Sequence, residues 1–384
     1  VILGSATPSL ESMENVRRGR YRQLLLRQRV RGAAMPKFQL LDLGRLPVTS
    51  GITPPMLAAL RLRLDRGEQS IVYVNRRGFA PVVLCSTCRW QARCDRCDVH
   101  LTLHRRSERL RCHHCGASRD PPEQCPKCGQ STLHPVGEGT QRVEDTLQKV
   151  LPGVRILRLD SDNTGNAADL ATDLARVRQG TIDVLVGTQL VAKGHDFPAV
   201  TLVCILNADS GLYSVDFRAA ERLYQQLTQV AGRAGRADRP GQVLVQTRHP
   251  ENVSFFRLAR HDYNGFVTAE LDQRRLAFCP PFIRFALLRA ESLRPAVPLE
   301  FVSVAARVGH RRLAGQPSQA VRLMDPVPSP MERKAGRYRA QLLVTSRAHT
   351  PLHRFLDDWL CDLEGLKSGR SVRWSLDVDP MEMY

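Results

Sequence analysis

Along most of the chain, short continuous apolar runs alternate with stretches whose apolar residues recur at helical spacing. Ile71-Val72-Tyr73-Val74 is one such run, bounded by polar residues, and it predicts a strand buried on both faces. Arg155 to Leu159, Val184 to Val186, Thr201 to Leu206 and Val243 to Val245 read the same way, with helical patterns between them. Strands that alternate with helices predict a parallel α/β sheet covered on both sides. Upstream, Val1-Ile2-Leu3-Gly4 reads as the middle of a buried strand, Thr7-Pro8 as a turn, and a short helix follows. Thr53-Pro54-Pro55 precedes a helical stretch from Met56 to Arg66.

The last hundred residues change character. They predict a strand (Phe285 to Arg289), a helix (Leu299 to Arg312), two strands (Ala320 to Leu323 and Arg339 to Thr345), a helix (His353 to Lys367) and a strand (Val372 to Val378). Pro326 to Pro330 reads as a turn. That βαββαβ order predicts a small split-βαβ domain.

Hydrophobic content of 42% and charged content of 24% suit a globular protein of two or three domains. No apolar run approaches the ~18 residues that span a bilayer. No signal peptide opens the chain, so a cytoplasmic location, not associated with a membrane, is expected. The apolar start without a Met suggests a fragment. Fifty-six Lys and Arg against 38 Asp and Glu leave a formal charge of +18. Such an excess favours a polyanionic partner, because each neutralised phosphate releases condensed counterions.

Eight of the eleven cysteines fall between Cys85 and Cys128, in four C-x-x-C turns separated by five, fourteen and nine residues. Each turn directs two thiolates at one tetrahedral ion, and a second turn completes the shell. Four turns therefore predict two structural zinc ions; a redox role would need only one pair. The fourteen-residue spacing suits a zinc ribbon, which assigns Cys94, Cys97, Cys112 and Cys115 to an inner zinc. Cys85, Cys88, Cys125 and Cys128 remain for an outer one that ties entry to exit. His100, His104, His113 and His114 are expected to be bystanders, and full thiolate shells leave no open position for hydrolysis.

Gln229-Val230-Ala231-Gly232-Arg233-Ala234-Gly235-Arg236 carries two arginines three apart, expected on one helical face, with glycines that permit close approach to a neighbouring surface. Arginine forks suit the oxygens of a transferring phosphoryl group. Asp183 to Gln189 ends a strand in a small polar turn, and Lys193-Gly194-His195-Asp196-Phe197 follows.

Taken in order, these stretches resemble the superfamily 2 helicases and, within them, the PriA (primosomal protein N′) family. Gly4-Ser5-Ala6-Thr7-Pro8-Ser9 resembles motif III and Tyr73-Val74-Asn75-Arg76-Arg77-Gly78 the motif IV region. Gly187 to Asp196 resembles motif V and Gln229 to Arg236 motif VI. The eight-cysteine insertion narrows helicase to PriA. Asp216 to Arg222 and the ending Trp374 to Pro380 are also family-like, and the resemblance covers essentially the whole chain.

The resemblance implies a RecA-like parallel-sheet motor domain with an inserted two-zinc ribbon module, four cysteines per site, followed by a small α+β domain. The expected divisions are 1–45 (end of a first motor domain), 46–84 (start of the second), 85–131 (zinc insertion), 132–262 (rest of the second) and 263–384 (a C-terminal domain binding DNA or partners). It further implies that Arg236, Arg233 and Gln229 reach ATP held by the other motor domain, with Arg236 the finger. Gly194 and Asp196 would lie on the nucleotide side. Thr188, Gln189 and Arg76 would face DNA, and Ser5 and Thr7 would couple the two sites. Two positions depart from the pattern: Asn207 stands for an aspartate and Gln141 for a glutamate. Neither is expected in the site.

The implied function is an ATP-dependent 3′–5′ DNA helicase that recognises stalled or repaired forks and initiates primosome assembly. Its implied partners are branched and single-stranded DNA, other primosome proteins, single-stranded DNA-binding protein and factors that load the replicative helicase. A phosphate-binding loop and a magnesium-binding Asp-Glu pair, expected upstream of Gly4, are absent from this sequence. The chain alone is therefore expected to be inactive, with ATP and Mg²⁺ used by the full-length parent. The alternative reading is a non-catalytic, zinc-containing DNA-binding and primosome assembly platform.

Overall fold

The structure is a computed structural model that describes every residue except 27–33, 49–50, 76–81, 86, 89, 97–100, 105–107, 112–116, 137–139, 160–166, 189–196, 213–215, 236–238, 315–319 and 384. It forms two compact units: Val1–Pro81 with Gly137–Leu271, and Val82–Val136 with Asp272–Tyr384.

The first unit opens with helix α1 (Leu10–Arg17), capped at its N-terminus by the Ser9 side chain. Strand β1 (Lys37–Asp42) and helix α2 (Pro54–Asp65) follow, then β2 (Gln69–Val74). The cysteine insertion comes next, bracketed by two short strands, β3 (Val82–Cys85) and β7 (Leu133–Val136). Between them lie β4 (Thr102–His104), β5 (Arg109–Arg111) and β6 (Ser118–Arg119). The chain resumes the first unit with α3 (Thr140–Val150), β8 (Ile156–Leu159), α4 (Ala167–Arg178), β9 (Val184–Gly187), β10 (Val200–Leu206), α5 (Ala219–Ala231), β11 (Gln242–Thr247), α6 (Val253–Ala259) and α7 (Tyr263–Leu276).

Six of these strands form one sheet in the order β1-β11-β10-β2-β9-β8, and every pairing is parallel. Each residue of β2 and of β10 is buried. Their side chains alternate between two cores, as a period of two requires. Ile71 and Tyr73 pack with α4, α5 and α6 residues such as Val177, Leu227 and Phe255. Val72 and Val74 pack on the other side with Met56 and Leu60 of α2 and Leu147 of α3. The doubly covered parallel sheet expected from the apolar runs is what forms.

Two upstream expectations differ. Val1, Ile2 and Leu3 form no strand and are exposed, since an apolar run becomes a strand only beside another strand that accepts its hydrogen bonds. Residues 37–42, expected in a first motor domain, lie at the edge of this sheet, paired with β11 from Lys37↔Gln242 to Asp42↔Thr247. A boundary at residue 45 therefore cuts a hydrogen-bonded sheet. A boundary at 263 likewise separates α7 from the core it packs against, since Phe266 of α7 stacks on Tyr224 of α5, with ring centroids 4.1 Å apart.

In the second unit the insertion starts and ends on the antiparallel pair β3–β7, with Cys85 opposite Leu133. That pairing sets its two ends side by side, the condition for inserting it between β2 and α3. A three-stranded sheet, β4-β5-β6, sits within it. Its described core is small: Val83, Ala92, Cys94, Leu101 and Leu110.

The C-terminal part of this unit consists of β12 (Arg284–Ser292), α8 (Val297–Ala314), β13 (Val321–Leu323), β14 (Val327–Lys334), β15 (Arg337–Ser346), α9 (His349–Glu364) and β16 (Arg373–Val378). The strands make an antiparallel sheet, β13-β15-β12-β16, with β14 also on β15. Pro326 to Pro330, expected as a turn, instead leads into and begins β14. The register of β14 slips between Pro328 and Arg333, which is how a strand that lacks proline N–H donors is tolerated. Its hairpin meets the insertion: the Gly336 N–H donates to the Arg96 carbonyl at 2.6 Å, and Arg333 donates to the Cys94 carbonyl at 3.4 Å. Both helices pack on the sheet around Trp359, which is fully buried and donates its indole N–H to the Ala305 carbonyl at 3.1 Å.

Replacing Trp359 with Ala removes the largest side chain of that core, and an unfolding free-energy loss of about 3–5 kcal/mol is expected. Chemical denaturation followed by circular dichroism measures it; a loss below about 1 kcal/mol would mean that this core does not hold the domain together.

Candidate functional site

The outer cysteine set converges. The Sγ atoms of Cys85, Cys88, Cys125 and Cys128 all lie within 4.8 Å of one another. Cys85 and Cys128 are 3.6 Å apart and Cys88 and Cys125 3.5 Å. Thiolates about 2.3 Å from a tetrahedral zinc stand about 3.8 Å from each other, so this geometry fits the ion. The Cys125 turn is closed by Gly129, whose N–H donates to the Cys125 carbonyl at 2.8 Å with φ at +72°. Only glycine adopts that conformation without strain.

The local chemistry favours a cation. A hydrogen bond from the Thr132 hydroxyl, 3.2 Å from Cys85 Sγ, holds that thiol down at about 6. Burial pushes Cys88 the other way, above its ordinary value. Four sulfurs this close cannot all ionise in a buried site unless a metal balances them.

Of the inner set, Cys94 is described and buried, and its Sγ accepts the Arg96 N–H at 3.4 Å. An N–H two residues on that points at the sulfur is compatible with Cys94 serving as a thiolate ligand. Cys97, Cys112 and Cys115 lie outside the described residues, as do His100, His113 and His114.

On the sheet, the expected motor residues sort to opposite strand ends. Thr188 follows β9, and its N–H reaches the Leu159 carbonyl at 3.4 Å. Asn75 follows β2 and is buried; its amide donates to the Ala208 carbonyl at 3.4 Å. These residues mark the C-terminal ends of the strands. At the N-terminal ends, Phe197 is buried just before β10, and the Gly235 N–H donates to the Val200 carbonyl at 3.0 Å. Arg76, Gln189, Gly194, Asp196 and Arg236 fall outside the described residues.

Helix α5 runs between these two ends. Gln229 is exposed in its last turn. Arg233 is not on the helix as expected, because the helix stops at Ala231 and Gly232 caps it. Beyond it Gly235 takes φ of +70°, and a Cβ there would lie 2.2 Å from the Gly241 nitrogen. A Cβ on Gly241 would in turn lie 2.5 Å from the Ala234 carbonyl. The close approach anticipated for these glycines is thus to the chain entering β11.

The segment from Ser5 to Ser9 lies along α5. Thr7 is buried, its N–H reaches Ser5 Oγ at 3.1 Å, and its carbonyl accepts from Gln225 at 3.3 Å. Ser5 is exposed. Of the residues that hold this segment, Arg218 and Glu221 lie in the family-like stretch from Asp216 to Arg222 but carry no expected role, and Gln225 and Tyr263 are not singled out by the sequence. An acidic residue on an amphipathic helix reads as solvated until the helix's neighbour is known.

The departures have local reasons. Asn207 sits in the left-handed region, φ 54°, which a short polar side chain tolerates. Gln141 lies in the first turn of α3 and is half-buried.

Comparison with known proteins adds the family. The Primosomal protein N C-terminal domain matches residues 275–381. The PriA DNA helicase Cys-rich region domain matches 94–119, and the Helicase conserved C-terminal domain matches 136–238. The replication restart protein PriA of Haemophilus influenzae is 38% identical over 384 residues, covering 100% of this chain and 52% of that protein. That of Bacillus subtilis is 36% identical over 389 residues, with 48% of its length covered. That of Rickettsia conorii is 32% identical over 387 residues, with 58% covered. The chain thus spans about half the length of the curated relatives it matches. With its helicase C-terminal sheet, PriA-type cysteine region and PriA C-terminal domain in one order, the chain belongs to the PriA family.

Proposed function

We propose that this chain is the second half of an ATP-driven DNA motor, working in replication restart. The full-length protein would hydrolyse ATP with Mg²⁺ between this sheet and a phosphate-loop domain, move 3′–5′ on DNA, recognise branched forks and begin primosome assembly. Gln229, Arg233 and Arg236 would meet the nucleotide, with Gly194 and Asp196 beside them. Arg76, Thr188 and Gln189 would meet DNA, and Ser5 and Thr7 would pass the nucleotide state across.

What supports this reading most is the placement of Gln229 and Arg233 at one end of α5, next to the Gly235–Gly241 crossing. The backbones meet so closely there that the turn carrying Arg233 is packed against the chain entering β11. A preorganised turn is what transition-state charge stabilisation requires. A platform that only assembles partners has no use for that arrangement.

Two zinc ions would staple the insertion, supplying folding energy that its five described core residues cannot. When bound, each ion supplies structural closure, not chemistry. Single-stranded DNA-binding protein, helicase-loading factors and other primosome proteins are proposed partners.

Three outcomes are expected. Arg236→Ala in the full-length protein should lower DNA-stimulated ATP turnover by about a thousandfold while DNA binding persists; unchanged turnover rejects the finger. Metal analysis of the chain should find two zinc equivalents, falling to one in Cys88→Ser; a wild-type value of one rejects the two-site assignment. Raising salt from about 50 to 200 mM should weaken DNA affinity about a thousandfold, as phosphate-dominated binding demands. A loss smaller than about tenfold would contradict it.

A further inference from the structure

Helix α5 carries a polar stripe that its motor role does not by itself require. Arg218, just before the helix, and Glu221, Gln225 and Gln229 within it recur at intervals of three and four residues. They therefore share one face. The other faces, with Leu223, Leu227 and Val230, are buried in the core.

The upstream part of the stripe grips the segment that ends in α1. Glu221 is only 4% exposed, and its Oε1 accepts the Leu10 N–H at 3.0 Å. Leu10 is the first residue of α1 and is itself fully buried. The carboxylate thus satisfies an N–H that has no partner inside its own helix, at the positive end of the helix dipole. Arg218 joins the two sides, 2.6 Å from Glu11 Oε1 and 3.9 Å from Glu221 Oε2. Gln225 donates to the Thr7 carbonyl at 3.3 Å, and the Tyr263 hydroxyl donates to the Pro8 carbonyl. Burial pushes the Tyr263 hydroxyl above its ordinary value, so it stays a donor throughout the neutral range. Four side chains from one wall therefore fix Thr7, Pro8, Leu10 and Glu11 in sequence.

We infer that Glu221, with Arg218, is the clasp that holds the Ser5–Thr7 coupling segment to the helix bearing Gln229 and the arginine turn. This deepens the motor reading and rests on it. Glu221 is a positioning residue: it touches neither nucleotide nor DNA. It acts because the segment sits on the same helical stripe as Gln229, so a shift of Thr7 is delivered along a rigid rod to the nucleotide end. Opening the clasp should leave the arginine turn intact but disconnect it from the coupling segment.

The test uses Glu221→Ala and Glu221→Gln, since the glutamine amide oxygen can still accept the Leu10 N–H. In the 384-residue chain, hydrogen exchange of residues 9–17 should accelerate at least about tenfold in Glu221→Ala, the worth of a buried hydrogen bond to a charged group. Exchange in β2 and β10 should stay unchanged, and Glu221→Gln should recover most of the protection. In the full-length protein, Glu221→Ala should lower DNA stimulation of ATP turnover about tenfold. Basal turnover and the KM for ATP should stay within about twofold. Unaltered exchange in Glu221→Ala overturns the clasp. Accelerated exchange with full DNA stimulation overturns its coupling role. If the unmodified full-length protein showed no DNA-stimulated turnover at all, the motor reading would fall, and the exchange result would still decide whether the clasp exists.

Discussion

The burial of a wholly parallel sheet on both faces is the constraint from which the rest follows. Every residue of β2 and β10 is buried, and the apolar ones from Ile71 to Val74 and from Leu202 to Leu206 divide between two cores, which leaves little exposed surface on these strands for polar chemistry. Functional groups are driven to the strand ends. The two ends are separated by the seven residues of β10, about 20 Å at the usual rise of a strand. Under the proposed motor reading, two ligand sites must be apart yet mechanically joined, and the strand length sets such a separation. Helix α5, thirteen residues long, spans a similar distance; it contacts the Thr7 segment through Gln225 and runs directly into the turn carrying Arg233.

The cysteine insertion obeys a different physics. It is too small to fold on apolar burial, and a cluster as small as Val83, Ala92, Leu101 and Leu110 would be marginal alone. Two devices make up the difference. The β3–β7 pair brings entry and exit together, and four thiols converge immediately beyond that pair. On the far side, the hairpin between β14 and β15 bonds to the Cys94–Arg96 turn through Gly336 and Arg333. The insertion is thus anchored both at its stem and at the Cys94–Arg96 turn, and it belongs to the same compact unit as the C-terminal domain.

Much of this is legible in residues alone. The apolar runs from Ile71, Val184, Thr201 and Val243 are all strands, because a strand buried on both faces has no polar position to disguise it. The outer cysteine ligands are legible because C-x-x-C spacing is itself a geometric statement. Less legible is β14, where two prolines, with Pro326 just before them, read as a turn; an edge strand needs hydrogen bonds on only one side, so proline survives there. Helical periodicity carries Arg233 onto a helix that in fact ends two residues earlier, since a glycine cap and a left-handed glycine compete with that periodicity.

What the sequence by itself determined is the set of local commitments: which runs are strands, which turns carry paired cysteines and which arginines sit beside glycines. These depend on near neighbours in the chain, where periodicity and turn chemistry act directly. The fold alone decided that β1 joins the six-stranded sheet beside β11, that Gly235 faces Gly241, and that Glu221 reaches Leu10 across 211 positions. Such contacts cost loop-closure entropy and are selected only by the collective packing of both cores. No pattern of near neighbours encodes which distant groups that packing will bring together.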